Sequence, residues 1–183
     1  MERIFFMKNK TKILVTSALL VALQIVFTRI IALEAGVIRI SFGFFPVAVA
    51  GMLLGPLGGG AVGVIADIIG MLMISKGGVY FFPFTITEFL YGIGFGLMLY
   101  KKDLSHIKIT IFTVIQFILL NLILNSVWNY LYYLMIIGTP KGLWVIITSR
   151  LFASLVNLPV QILGINLICK YLKNPLKKLG WRN

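Results

Sequence analysis

Six long apolar stretches, separated by short polar or Gly/Pro-rich joins, run at roughly 13–32, 37–54, 58–74, 81–100, 107–137 and 143–172. A membrane-spanning helix needs about 20 residues, with a range of roughly 17–25. Each stretch therefore reads as a crossing. The second and third sit at or below the short end, and the fifth and sixth exceed it, so these last two are expected to tilt or project into water. The join Gly55-Pro-Leu-Gly-Gly-Gly60 marks a tight turn; it carries no Lys and is no phosphate loop. Basic residues precede the first stretch as they would in a signal peptide. The run from Ile13 is nevertheless long enough to span, and reads as an anchored helix. The expected fold is an all-α integral membrane bundle of six transmembrane helices, forming one domain.

Polar positions inside these stretches fall at helical spacing. Thr85, Glu88, Gly92 and Gly96 share one face of the fourth stretch. An acidic side chain at a membrane helix centre costs roughly 2.5–3.5 kcal/mol, so Glu88 needs a partner or a polar cavity. Asn121, Asn125, Trp128, Asn129 and Tyr132 share one face of the fifth stretch, and Arg150, Ser154, Asn157 and Gln161 one face of the sixth. Facing lipid would leave these groups unpaired. Convergent amides, a carboxylate, an Arg and aromatic rings describe a small-molecule pocket; the plainer alternative is hydrogen bonding that holds the bundle together. Asp67 lies in line with Gly63 and Gly70 and reads as a ligand group, a proton site or a structural partner for an Arg. Ala18 and Ala22 form a small-xxx-small pair, suited to internal packing or to a flat face for another subunit.

Composition agrees with the pattern. The 183 residues are 60% hydrophobic and 12% charged, with a mean hydropathy of +1.01, against about 45–50% apolar for a soluble domain. Most of the 17 Lys and Arg fall near the two ends and around Lys101, Lys102 and Lys108. Both termini are thus expected on the cytoplasmic side. The +12 net charge then reads as topology and attraction to anionic lipid, and not as a nucleic-acid footprint. On the opposite side stand Arg29, Arg39, Lys76, Lys141 and Arg150 against one acid, Glu34. Such a mouth favours an anionic ligand, unless the cations snorkel to headgroups. Cys169 is the single cysteine and supports no disulfide framework. No metal-ligand spacing, nucleophile elbow or paired-carboxylate arrangement stands out. Neither a cofactor nor enzymatic activity is expected.

The motifs together resemble those of the substrate-binding S components of energy-coupling factor (ECF) vitamin transporters, most closely the folate-specific branch. The pieces are Ala18-Leu-Leu-Val-Ala22, Arg39-Ile-Ser-Phe-Gly-Phe-Phe-Pro46, Gly51-Met-Leu-Leu-Gly-Pro56, Ala66-Asp67, Phe82-Pro-Phe-Thr-Ile-Thr-Glu88, Leu124-Asn-Ser-Val-Trp128, and Arg150 with Leu158-Pro-Val-Gln161. The resemblance implies an outward pocket capped by the loops after helices one, three and five. It also implies a partner transmembrane coupling subunit and two ATPases, reached through the Ala18/Ala22 face in a bacterial plasma membrane. Its expected ligand-binding residues are Arg39, Phe82, Phe84, Thr85, Glu88, Asn125, Trp128, Arg150, Asn157 and Gln161, with Asp67 and Lys76 either ligand-binding or structural. The chemistry fits folate: a pterin offers adjacent N–H donors to one carboxylate and a ring to stack on aromatics. Glu88 is preferred over Asp67 as that carboxylate. The dianionic glutamate tail suits Arg39, Arg150 or Lys76. The alternatives are an S component for riboflavin, thiamine or a queuosine precursor, and an intramembrane enzyme acting on lipid.

Overall fold

The computed structural model describes residues 2–35, 38–74, 79–102, 105–138 and 142–178. Helix α1 (Glu2–Ile25) continues as a π-helical turn, Val26–Ile30. A short antiparallel hairpin follows, β1 (Leu33–Ala35) with β2 (Ile38–Ile40), in which Glu34 pairs with Arg39. Next come α2 (Phe44–Met73) and α3 (Phe82–Leu99). Helix α4 (His106–Phe117) runs through a π-helical stretch, Ile118–Leu124, into α5 (Asn125–Tyr132) and a second π-helical stretch, Tyr133–Ile137. Helix α6 (Leu143–Lys178) completes the order. Among the described residues five helical units are long and apolar enough to cross a membrane, and the fold is a helical membrane bundle.

Two differences from the sequence reading concern the second and third stretches. Residues 38–43 do not begin a helix: Ile38–Ile40 is a strand, and helix starts only at Phe44. The two stretches also form one unit, broken at Gly55, whose φ of 82° and ψ of −175° are not helical. Glycine supplies the positive φ, and Pro56 lacks the N–H that would continue the ladder. The break reverses the chain. A Cβ built on Gly59 would lie 2.8 Å from Gly51 Cα, whereas eight residues of straight helix rise about 12 Å. The unit is two arms folded on each other.

Helix α3 lies against both arms at backbone contact. A Cβ on Gly51 would come within 2.7 Å of Gly96 N, one on Gly59 within 2.6 Å of Gly92 O, and one on Gly63 within 2.7 Å of Glu88 O. Small residues permit this approach, and such packing holds helices together in lipid. The last contact fixes the height of Glu88 on the bundle. Pro83 sits in the first turn of α3, where its missing N–H costs nothing. One buried cluster, including Val47, Met52, Phe95, Leu99, Ile109 and Ile165, joins α2, α3, α4 and α6. A second, Leu20, Val21, Ala50, Val62 and Ala66, seats α1 on both arms of α2. Leu14, Leu72, Trp144 and Leu155 point outward, as on a surface wetted by lipid.

Candidate functional site

All the helical units enclose a cavity of about 740 Å³, within the range of small-molecule sites. Helix α1 and its π-helical turn supply Gln24, Thr28 and Arg29. The two arms of α2 supply Phe44 and Val47, and Asp67 and Met71. Helix α3 supplies Phe84, Glu88 and Tyr91. The α4–α5 unit supplies Phe117, Asn121, Asn125, Asn129, Tyr132 and Tyr133, and α6 a face from Val145 to Gln161. That face is about 24 Å long at 1.5 Å per residue.

Three polar arrangements line the cavity. In the first, Arg29 Nη2 lies 3.5 Å from Asp67 Oδ1, and Thr85 Oγ1 donates to Asp67 Oδ2 at 2.7 Å. Thr85 has one hydroxyl hydrogen, already given to Asp67. The 2.8 Å contact between Tyr80 Oη and Thr85 Oγ1 is therefore donated by Tyr80. Both Asp67 oxygens are engaged, tying α1, the second arm of α2 and α3 together. In the second, Gln24 Nε2 donates to Glu88 Oε2 at 3.5 Å. In the third, Arg150 Nη1 donates to Asn121 O at 3.0 Å and to Asn121 Oδ1 at 3.2 Å, and the Asn121 side chain also hydrogen-bonds Tyr91.

Aromatic rings form the wall near the α2–α3 connection. Phe81 lies 5.7 Å from both Phe84 and Tyr132 in edge geometry, and Tyr132 Oη accepts from Val79 N at 3.2 Å. Gln24 Oε1 and Gln161 Nε2 are buried without a hydrogen-bond partner among the described residues. Buried polar atoms are rarely left so, and both residues belong to the lining. Among the described residues no group of His, Cys, Asp and Glu is arranged to hold a metal.

The cavity brings together Phe84, Glu88, Asn125, Arg150, Asn157 and Gln161, with Asp67 beside them. Other residues expected from sequence lie elsewhere. Phe82 is 61% exposed and off the lining. Thr85 is buried behind the wall, holding Asp67. Trp128 is not part of the lining, and its indole N–H is buried without a partner among the described residues. Arg39 lies on β2 opposite Glu34, its side chain outside the described part, and Lys76 lies outside the described residues. Ala18 and Ala22 are exposed on α1, away from the cavity. The lining also includes Gln24, Thr28, Arg29, Tyr80, Tyr91 and Tyr133, which the sequence reading did not assign. A signal for three of them was present: Gln24, Thr28 and Arg29 are polar residues close together near the end of an apolar run.

The family model for the ECF-type riboflavin transporter, S component, matches residues 8–174. The chain is 35% identical over 153 residues to the folate transporter FolT of Clostridium novyi (strain NT), covering 84% of this chain and 85% of that one. It is 28% identical over 158 residues to the folate transporter FolT of Leuconostoc mesenteroides subsp. mesenteroides, covering 86% and 84%. Among solved structures it is similar to a crystal structure of FolT bound with folic acid, at a TM-score of 0.75 and 31% identity, covering 87% of this chain and 93% of that one.

Proposed function

The chain belongs to the ECF-type S-component family, and on that premise we propose that it is the folate-binding membrane subunit of an ATP-driven vitamin importer. The observation that carries this reading is the 740 Å³ cavity, in which a carboxylate, a guanidinium, amides and aromatic rings converge. The resemblance to two folate transporters and to a folate-bound structure supports the choice of ligand. Glu88 accepts the paired N–H donors of the pterin, because both oxygens of Asp67 are already engaged. Phe44, Phe84 and Tyr91 supply ring contacts. Arg150 reaches inward to Asn121, which favours the ring end of the ligand over the glutamate tail as its partner. The tail then lies near Arg29, and its charge also suits Arg39 and Lys76.

Six crossings follow when the two arms of α2 are counted separately. Both termini are cytoplasmic and the cavity opens outward from the cell membrane. A transmembrane coupling subunit and two ATPases complete the importer, and this subunit catalyses no covalent change. Riboflavin is the second reading, favoured by the description of the matching family model. Titration of the detergent-purified chain, with native mass spectrometry of any ligand carried through purification, separates the two. Folate bound one to one with no competition from riboflavin is the expected outcome. Riboflavin bound in its place would overturn the folate assignment.

A further inference from the structure

We infer that Asn121 is a positioning residue that acts on the ligand through Arg150, and that the π-helical stretch Ile118–Leu124 exists at this point to make that possible. The inference rests on the reading of Arg150 as a ligand-facing group. In a regular α-helix the Asn121 carbonyl would accept from Asn125 N–H, four residues on. Here Asn125 N–H is directed to Leu120 O, five residues back, and to Ile123 O, and not to Asn121 O. A helix whose pairing slips in this way leaves a carbonyl without its usual donor, and a buried carbonyl needs one. Arg150 Nη1 supplies it, at 3.0 Å to Asn121 O, while Asn121 Oδ1 accepts from the same nitrogen at 3.2 Å. One nitrogen of the guanidinium is thus held by two acceptors of one residue.

The guanidinium is planar and its donors form a rigid fork. Fixing Nη1 from two directions therefore fixes the aim of the remaining donors. An Arg on a long, flexible stem otherwise loses rotamer freedom when it binds. Asn121 restricts that freedom before the ligand arrives, which is preorganisation of the site. The side chain of Asn121 and the backbone slip are two independent features directed at the same nitrogen.

The test is a double-mutant cycle on the full-length purified chain with folate as the probe. Asn121→Leu is expected to weaken folate at least about tenfold, and Arg150→Ala more. The double variant is expected to be no weaker than Arg150→Ala alone, because Asn121 has nothing left to act through. Losses that multiply, or an Asn121→Leu affinity within about twofold of the parent, would overturn the inference. If Asn121→Leu does not fold, Asn121→Ser removes Oδ1 from its position without adding bulk, and the same cycle applies. A ligand-free arm separates this inference from the choice of ligand. Amide hydrogen exchange over residues 118–126 should quicken in Arg150→Ala, since the Asn121 carbonyl loses its donor. Unchanged exchange would overturn the inference even where folate binds, and quickened exchange would uphold the Arg150–Asn121 hold even if the parent chain failed to bind folate.

Discussion

Glu88 and Asp67 are both carboxylates on the cavity wall, yet their neighbours give them different tasks. Asp67 is committed to Arg29 and Thr85, which suits a joint between helices. Glu88 is met by the long 3.5 Å bond from Gln24 and lines the cavity together with Tyr91 and the amides. Charge-assisted hydrogen bonds are worth about 1.5–3 kcal/mol. Glu88→Gln should therefore weaken folate roughly ten- to hundredfold in titration calorimetry; unchanged affinity would remove Glu88 from the site. Trp128 gives the opposite case. Its ring is off the lining, so Trp128→Phe is expected to keep folate affinity within about twofold. A larger loss would restore the stacking role that its place in the sequence suggested. The acid and the amide stripes were legible because a polar residue in an apolar run has few permitted destinations. The division of labour between the two acids was not, because it depends on Arg29 and Thr85, which come from different helices.

The same residue, Trp128, shows at the scale of the element why periodicity misled. Counted at 3.6 residues per turn, Trp128 falls on the face of Asn121, Asn125 and Tyr132. The π-helical stretch Ile118–Leu124 takes up one extra residue, and everything after it rotates by about 100° against that count. Trp128 swings off the cavity and Tyr133, which the count placed on the flank, enters the lining. No local composition marks such a slip; its cause is tertiary, in the donor that Arg150 brings to Asn121. The break at Gly55-Pro56 was legible, since both residues act locally. The pairing of Leu33–Ala35 with Ile38–Ile40 was hidden by the apolar Ile38 and Ile40, which read equally well as the start of a helix. The packing of α3 on α2 gives a prediction at this scale. A Cβ on Gly92 would collide with the Gly59 carbonyl, and backbone cannot step aside as a side chain can. Gly92→Leu should cost more than the usual 1–3 kcal/mol of overpacking, read as a large fall in melting temperature and loss of the monodisperse peak. Gly142→Ala is the control, because its Cβ would meet only Val145 Cγ2 at 3.9 Å. Equal stability for both variants would mean that the two helices stand further apart than these contacts imply.

At the scale of the whole molecule, membrane residence was the most legible property, because it follows from summed hydropathy and needs no register. The cavity was legible as a set of faces but not as a volume, since a volume requires the relative rotation of every helix. What remains is how an S component takes part in uphill uptake; on the proposed reading it needs a surface for the partners separate from the cavity. Ala18 and Ala22 are exposed on α1, whereas Leu20, Val21 and Gln24 of the same helix turn inward. Two small side chains one turn apart leave a shallow patch, and close backbone approach is what drives helix association in lipid. A Trp at this patch would hold a partner helix off without reaching the lining, which α1 meets through Gln24, Thr28 and Arg29. Ala18→Trp is therefore expected to keep folate affinity within about threefold, under roughly 0.7 kcal/mol, while co-purification with the coupling subunit and folate uptake both collapse. Normal assembly and uptake would mean that this face meets lipid and that the partner grips elsewhere. Loss of folate binding along with assembly would mean that the patch supports the cavity from behind, and that binding and coupling share a surface on α1.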